Sequence, residues 1–176
     1  CWQTAHDYKL VTWPMAPLRY VPIPAHTREA AEHLYYLHYR SPAPFDPFGT
    51  FDYVVPPIDG LDDEALEARL RAVNNSVVTL NHVVHHGAIG HHVQNHHAYK
   101  GRSRVGKVAA VDTANRIAMF TGGSLAEGWA CYVCDLMEEI GFLTPLEQIA
   151  QPHTRVRMAA RAVVDLSLHT GRRTLA

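Results

Sequence analysis

Apolar positions recur at helical spacing over most of this chain, most regularly beyond its first third. From Asp62 the stretch DDEALEARLRAV carries acids in its first turn and arginines later, the order a helix dipole favours. That helix runs on, or restarts near 74–76, into a histidine-rich segment, where Gly87 and Gly90 predict a bend or break. Residues 98–107 read as a basic loop, and Val108–Phe120 as a further helix ending at Thr121-Gly122-Gly123. Ser124 with Glu127 three residues on has the form of a capping box, opening a helix that Gly141 stops. Thr144-Pro145-Leu146-Glu147 repeats the start signal, and the last helix extends to His169 before Gly171.

The first third reads differently. Most of the prolines lie there, interleaved with aromatics. Tyr8–Val11 and Tyr53–Val55 are candidate strands, Thr27–Tyr39 a candidate helix, and Pro42 to Phe51 a loop. The predicted class is therefore mainly α: residues 1–60 form an irregular proline- and aromatic-rich segment packed on a helical domain, 61–176.

Composition narrows this little. The chain has 176 residues, 47% of them apolar, enough for one domain with its own core. A net charge of −1 gives no electrostatic case for nucleic acid or an acidic membrane. No apolar run approaches the roughly 18 residues needed to span a bilayer. Three cysteines, Cys1, Cys131 and Cys134, make no disulfide framework and lean towards a reducing, cytoplasmic setting. Cysteine at position 1 leads us to expect a processed chain or a piece of a longer product.

Chemistry concentrates in two places. Seven of the thirteen histidines lie between His82 and His97, and SLAEGWACYVCDLMEEIGF follows on a second helix. Histidines followed by a carboxylate on another helix are a common way to hold a divalent metal, and two histidines plus a carboxylate leave a position open. On an unbroken helix His85 aligns with His92; a break at Gly90 brings in His91 instead. His96 and His97 read as solvent-facing or as groups behind the ligands, Trp129 and Tyr132 as core before substrate contacts, and Cys131 and Cys134 as small buried hydrophobes. Arg161, Asp165 and His169 share a helical face, either as an ion pair or as a site for negative charge.

These residues also carry a resemblance. His85-His86-Gly87-Ala88-Ile89-Gly90-His91-His92-Val93-Gln94 resembles the HExxPGHHxQ motif of a zincin-like bacterial family, domain of unknown function 885. Glu127-Gly128-Trp129-Ala130-Cys131-Tyr132 is similar to its EGWAxY, and Met137 to Phe142 to a following methionine–glycine–phenylalanine stretch. Arg161 to His169 is similar to its RxVVDxxxH. The four motifs cover about residues 82–171, and family members are longer, so the chain resembles their C-terminal, metal-binding portion.

The resemblance implies a zincin-like metallohydrolase fold. It implies His85, His91 and Glu127 as ligands of one divalent metal, with His92 competing for the second position. Zinc leads, followed by iron, nickel, cobalt or copper. Three departures matter: His86 stands where the motif has its general-base glutamate, Ile89 where it has proline, and Cys134 where a further glutamate belongs. His86 then serves as proton shuttle or extra ligand, and Arg161 or His169 stabilises developing charge. The expectation is Lewis-acid or hydrolytic chemistry on a small polar substrate, not ordinary peptide hydrolysis. The alternatives are a degenerate scaffold or regulatory subunit serving a companion chain or a missing N-terminal portion, and metal storage through the histidine cluster.

Overall fold

The structure, a computed structural model, describes residues 1–12, 18–27, 38–46, 49, 51–55, 60–73, 78–110 and 122–175. Helix α1 spans Trp2–Asp7, and strands β1 (Leu18–Pro22), β2 (His38–Arg40) and β3 (Phe51–Val55) follow. The described strands form one mixed sheet in the order β1-β3-β2. β3 lies parallel to β1 and antiparallel to β2. Beyond them come α2 (Asp63–Val73), a π-helix (Val78–Gly87), α3 (His91–Lys100), α4 (Arg104–Ala110), α5 (Gly123–Glu139) and α6 (Pro145–His169).

The mainly helical class holds, and several local expectations change. Tyr8–Val11 is not a strand: α1 occupies Trp2–Asp7, and Lys9, at φ +54°, breaks the chain out of it. Residues 28–37 of the expected helix lie outside the described residues, but its end at His38–Arg40 pairs with β3 as strand. Tyr53–Val55 is strand, within β3. The basic loop is shorter than expected, because Arg104 to Lys107 already belong to α4. That helix is described only to Ala110, and the rest of the expected Val108–Phe120 lies outside the described residues.

Two terminus signals behave differently. At α6, Thr144 Oγ1 accepts from the Glu147 backbone N–H, and the Glu147 carboxylate accepts from the Thr144 N–H at 2.9 Å: a complete capping box. At α5 no such box forms. The helix starts one residue before Ser124, with Gly122 as N-cap and no side-chain cap. Glu127 is thereby released for other partners.

The core joins the π-helix, α3 and α5. Val84, Ile89, Val93, Val133 and Met137 are almost fully enclosed, with Leu143 closing one end. Each such side chain contributes roughly 1.5–3 kcal/mol by leaving water. This packing fixes the ends of three helical segments against one another, and the histidines sit on those ends.

Candidate metal centre

The centre is built around the break between the π-helix and α3. Wide i→i+5 turns characterise Val78–Gly87, and the Ala88 N–H donates to the Val83 carbonyl at 2.6 Å. Wider turns lower the angular step between neighbours below the ~100° of an α-helix, so consecutive His85 and His86 face one group. Their ring centroids are 4.5 Å apart. At Gly90 the chain folds back so tightly that a Cβ would lie 1.7 Å from the His85 carbonyl oxygen. Only glycine fits there. Trp129 of α5 pins the break, its Nε1–H donating to the carbonyls of Ile89 (3.0 Å) and Gly90 (3.2 Å). α3 then restarts at His91.

This geometry gathers His85, His86 and His91, whose candidate ligand atoms all lie within 4.8 Å of one another. Glu127 enters from α5. Its Oε2 is 3.2 Å from His85 Nε2 and its Oε1 3.4 Å from His91 Nε2. Both histidines are buried, while the glutamate side chain keeps 44% of its exposure, so the group opens on the Glu127 side.

The outer partners orient the rings. His86 Nδ1–H donates to the Asn81 carbonyl at 2.7 Å, which leaves Nε2 with its lone pair. His91 Nδ1 lies 3.4 Å from Gln94 Oε1, which orients the ring with Nε2 towards Glu127. Hydrogen bonds from His85 and His91 hold the Glu127 carboxyl well below the usual carboxylate range. Burial, reinforced by the neighbouring imidazoles of His85 and His91, lowers His86 to about 3. His86 is therefore neutral at pH 7 and a poor proton acceptor.

The donor set fits a divalent cation. His85 Nε2 and His91 Nε2 each lie within 3.4 Å of one of the two Glu127 oxygens, so donors from all three side chains are close enough together for one ion with bonds of about 2.1 Å. Imidazole nitrogens and a carboxylate held below its usual range are donor types such an ion takes.

The other expected site residues lie elsewhere. His92 is fully enclosed in the core, its ring 4.8 Å from Phe51 and 5.8 Å from Trp2. One residue beyond His91, it points about 100° away round α3, so it does not join the group. His96 is buried too, which removes the solvent-facing one of its two expected places. Arg161 and His169 are exposed on the outer part of α6, and His169 Nδ1–H donates to the Asp165 carbonyl at 2.9 Å. α6 runs antiparallel to α5, with Met158 on Cys131 and Arg155 on Asp135. Beyond Met158 the helix is mostly exposed, and neither Arg161 nor His169 is brought to the histidine group. Asn81, Gln94 and the pinning role of Trp129 were not singled out from the sequence. Gln94 was within reach, since it sits at i+3 from His91 on a helix.

A family model described as "Bacterial protein of unknown function (DUF885)" matches residues 3–175. A solved structure from Shewanella oneidensis, described as a candidate lipoprotein of unknown function, shares the fold. Its TM-score is 0.52 at 24% identity, covering 80% of this chain and 22% of that one. The chain thus spans about a fifth of that protein's length. No curated protein matches. No helix among the described residues is long and apolar enough to cross a membrane.

Proposed function

We propose that this chain, which belongs to the bacterial family of unknown function DUF885, is the metal-binding part of a divalent-metal-dependent enzyme of zincin-like character. The observation that supports it is the convergence of His85, His91 and the Glu127 carboxylate at 3.2 and 3.4 Å, backed by the oriented His86 ring. Zinc is the proposed ion, since imidazole nitrogen and carboxylate oxygen suit it. Iron, nickel, cobalt and copper are the competitors.

A bound divalent ion would supply Lewis acidity, polarising a carbonyl or activating water. The chain's own residues divide the remaining work. His85 and His91 would provide imidazole nitrogens, and Glu127 would balance positive charge on the more exposed side. His86 Nε2 offers a further lone pair, either to the ion or to a water held beside it. Its lowered pKa argues against the proton-shuttle role that a glutamate at this position would fill. Arg161, exposed on α6, is the proposed group to meet substrate negative charge. His169 is the weaker candidate, being occupied by Asp165. The proposed substrate is small and polar, and the reaction is hydrolytic or Lewis-acid assisted but not ordinary proteolysis.

One observation favours a second reading. With the half-buried His86 standing where the family motif has its glutamate, three imidazoles gather beside Glu127, enough donors to fill an ion's coordination as in structural metal sites. The chain would then be a scaffold or regulatory subunit for a companion chain or a longer N-terminal portion. Cobalt substitution separates the two. A visible spectrum that shifts on adding azide or a small carboxylate marks an exchangeable position and supports the enzyme. A spectrum indifferent to both supports the scaffold.

The cytoplasmic lean of the cysteine count stays a proposal. The solved relative's description as a candidate lipoprotein points instead to the cell envelope. Cell fractionation decides between them.

A further inference from the structure

The small sheet presses one pair of side chains against the π-helix. β1 and β3 pair so that Tyr20 stands beside Tyr53, with ring centroids 5.4 Å apart. One residue earlier on each strand, Arg19 donates to Asp52 twice, at 2.8 and 3.0 Å. Side chains alternate across a strand, so this exposed pair lies on the other face and fixes the register that sets the tyrosines side by side. Both tyrosines then reach the π-helix. The Tyr53 hydroxyl, on an almost fully buried side chain, is hydrogen-bonded to His82 Nδ1, and the two rings meet edge to face at 5.9 Å. The Tyr20 hydroxyl lies against Gly87, where a Cβ would come within 2.8 Å of it.

His82 and Gly87 are five residues apart, the span of one i→i+5 turn, and His85 and His86 stand between them. Turns of this width are rare and mostly single. Here they run for ten residues, from Val78 to Gly87, so contacts outside the segment must hold them open. Relaxation to an α-helix would restore a step of ~100° per residue and turn His85 and His86 out of their shared group.

We infer that Tyr53 and His82 are positioning residues for the metal centre: their hydrogen bond, with the Tyr20 hydroxyl as a second stop at Gly87, holds the wide turn that points His85 and His86 at one group. The inference rests on the metal reading above and gives the sheet a role in it. His82 does not join the group of His85, His86 and His91, so it acts through the helix and not on the ion. Burial raises the Tyr53 pKa, so its hydroxyl keeps its proton and stays a donor. An acceptor in the place of Nδ1 is then what position 82 must supply, and asparagine carries one, also bonded to Cγ. Losing the link strands a buried polar group as well as freeing the turn.

The test is the zinc affinity of the 176-residue chain, by competition with a chromophoric chelator, alongside the visible spectrum of the cobalt-loaded protein. Tyr53→Phe keeps the ring and removes the hydroxyl. It should keep the wild-type circular dichroism, bind zinc about 10- to 100-fold more weakly and change the cobalt spectrum. His82→Leu should do the same, and His82→Asn should return affinity and spectrum close to wild type. If Tyr53→Phe does not fold, the two His82 variants decide alone. Leu143→Ala, a cavity at one end of the core, should lower stability to urea and leave zinc affinity unchanged. Wild-type zinc binding in Tyr53→Phe, no recovery with asparagine, or an equal loss in Leu143→Ala would overturn the inference while leaving the metal reading in place. A wild-type chain that takes up no zinc would sink both.

Discussion

Replacing Gly90 by alanine tests the site's construction most sharply, because the added carbon has nowhere to go. Its Cβ would stand 1.7 Å from the His85 carbonyl oxygen, 2.4 Å from the His85 carbonyl carbon and 2.6 Å from the Val84 carbonyl oxygen. All three are backbone atoms of the π-helix, so no side-chain rotation relieves the contact. The chain must open at 88–90, and opening pulls the Ile89 and Gly90 carbonyls away from Trp129 Nε1. Overpacking costs about 1–3 kcal/mol, and stranding a buried indole N–H about 1–3 more. The expected destabilisation is about 3–5 kcal/mol, a large part of the ~5–15 kcal/mol total of a small domain. The same movement separates His91 from His85, so metal affinity should fall as well. Gly128→Ala is the internal control. It sits in helix α5 beside Glu127, and a Cβ there meets nothing within 4 Å. Alanine should stabilise α5 by about 0.5–1 kcal/mol. Urea unfolding followed by circular dichroism measures both. A Gly90→Ala variant within 1 kcal/mol of wild type, or one that binds metal normally, would refute the reasoning.

Three further outcomes follow from the same geometry. Trp129→Phe keeps the ring but removes the donor to Ile89 and Gly90, so it should cost about 1–2 kcal/mol and weaken metal binding; unchanged values for both would contradict the pinning role. His92→Ala should cost about 2–4 kcal/mol by opening a cavity beside Phe51 while leaving metal stoichiometry intact, and lost metal would reinstate His92 as a ligand. Metal-free protein should lose stability as pH falls from 6.5 towards 3, because the unfolded chain takes a proton that folded His86, lowered to about 3, refuses. That is about 2 kcal/mol by pH 5, whereas Glu127, held below its ordinary 4.5, adds its own loss only as pH falls below that value. His86→Gln should lose correspondingly less between pH 7 and 5 in urea titrations, and an equal loss would remove His86 as the cause.

Much of the helical part was legible because its signals are local. The acid-then-arginine order of α2, the Thr144 capping box and the glycine stops after α5 and α6 all depend on neighbours within a few residues. The break at Gly87–Gly90 was legible for the same reason. Long-range competition spoiled the rest. Ser124 and Glu127 have the form of a capping box, but two buried imidazoles draw the carboxylate away, and no spacing rule reports that. His91 and His92 are equivalent in the sequence. The core around Phe51 and Trp2 takes one, and the break turns the other towards His85. The sheet went unread because β1 and β3 pair in parallel across some thirty residues, and β2 lies where helical spacing pointed to a helix.

The central claim is that His85, His91 and Glu127 hold one divalent metal. Elemental mass spectrometry on untagged protein, run beside His85→Ala and Glu127→Ala, tests it most directly. The account predicts one tightly held equivalent in the wild type and its loss in both variants. Wild-type protein that takes up no metal when supplied with zinc, or a metal content unmoved by either substitution, would contradict it.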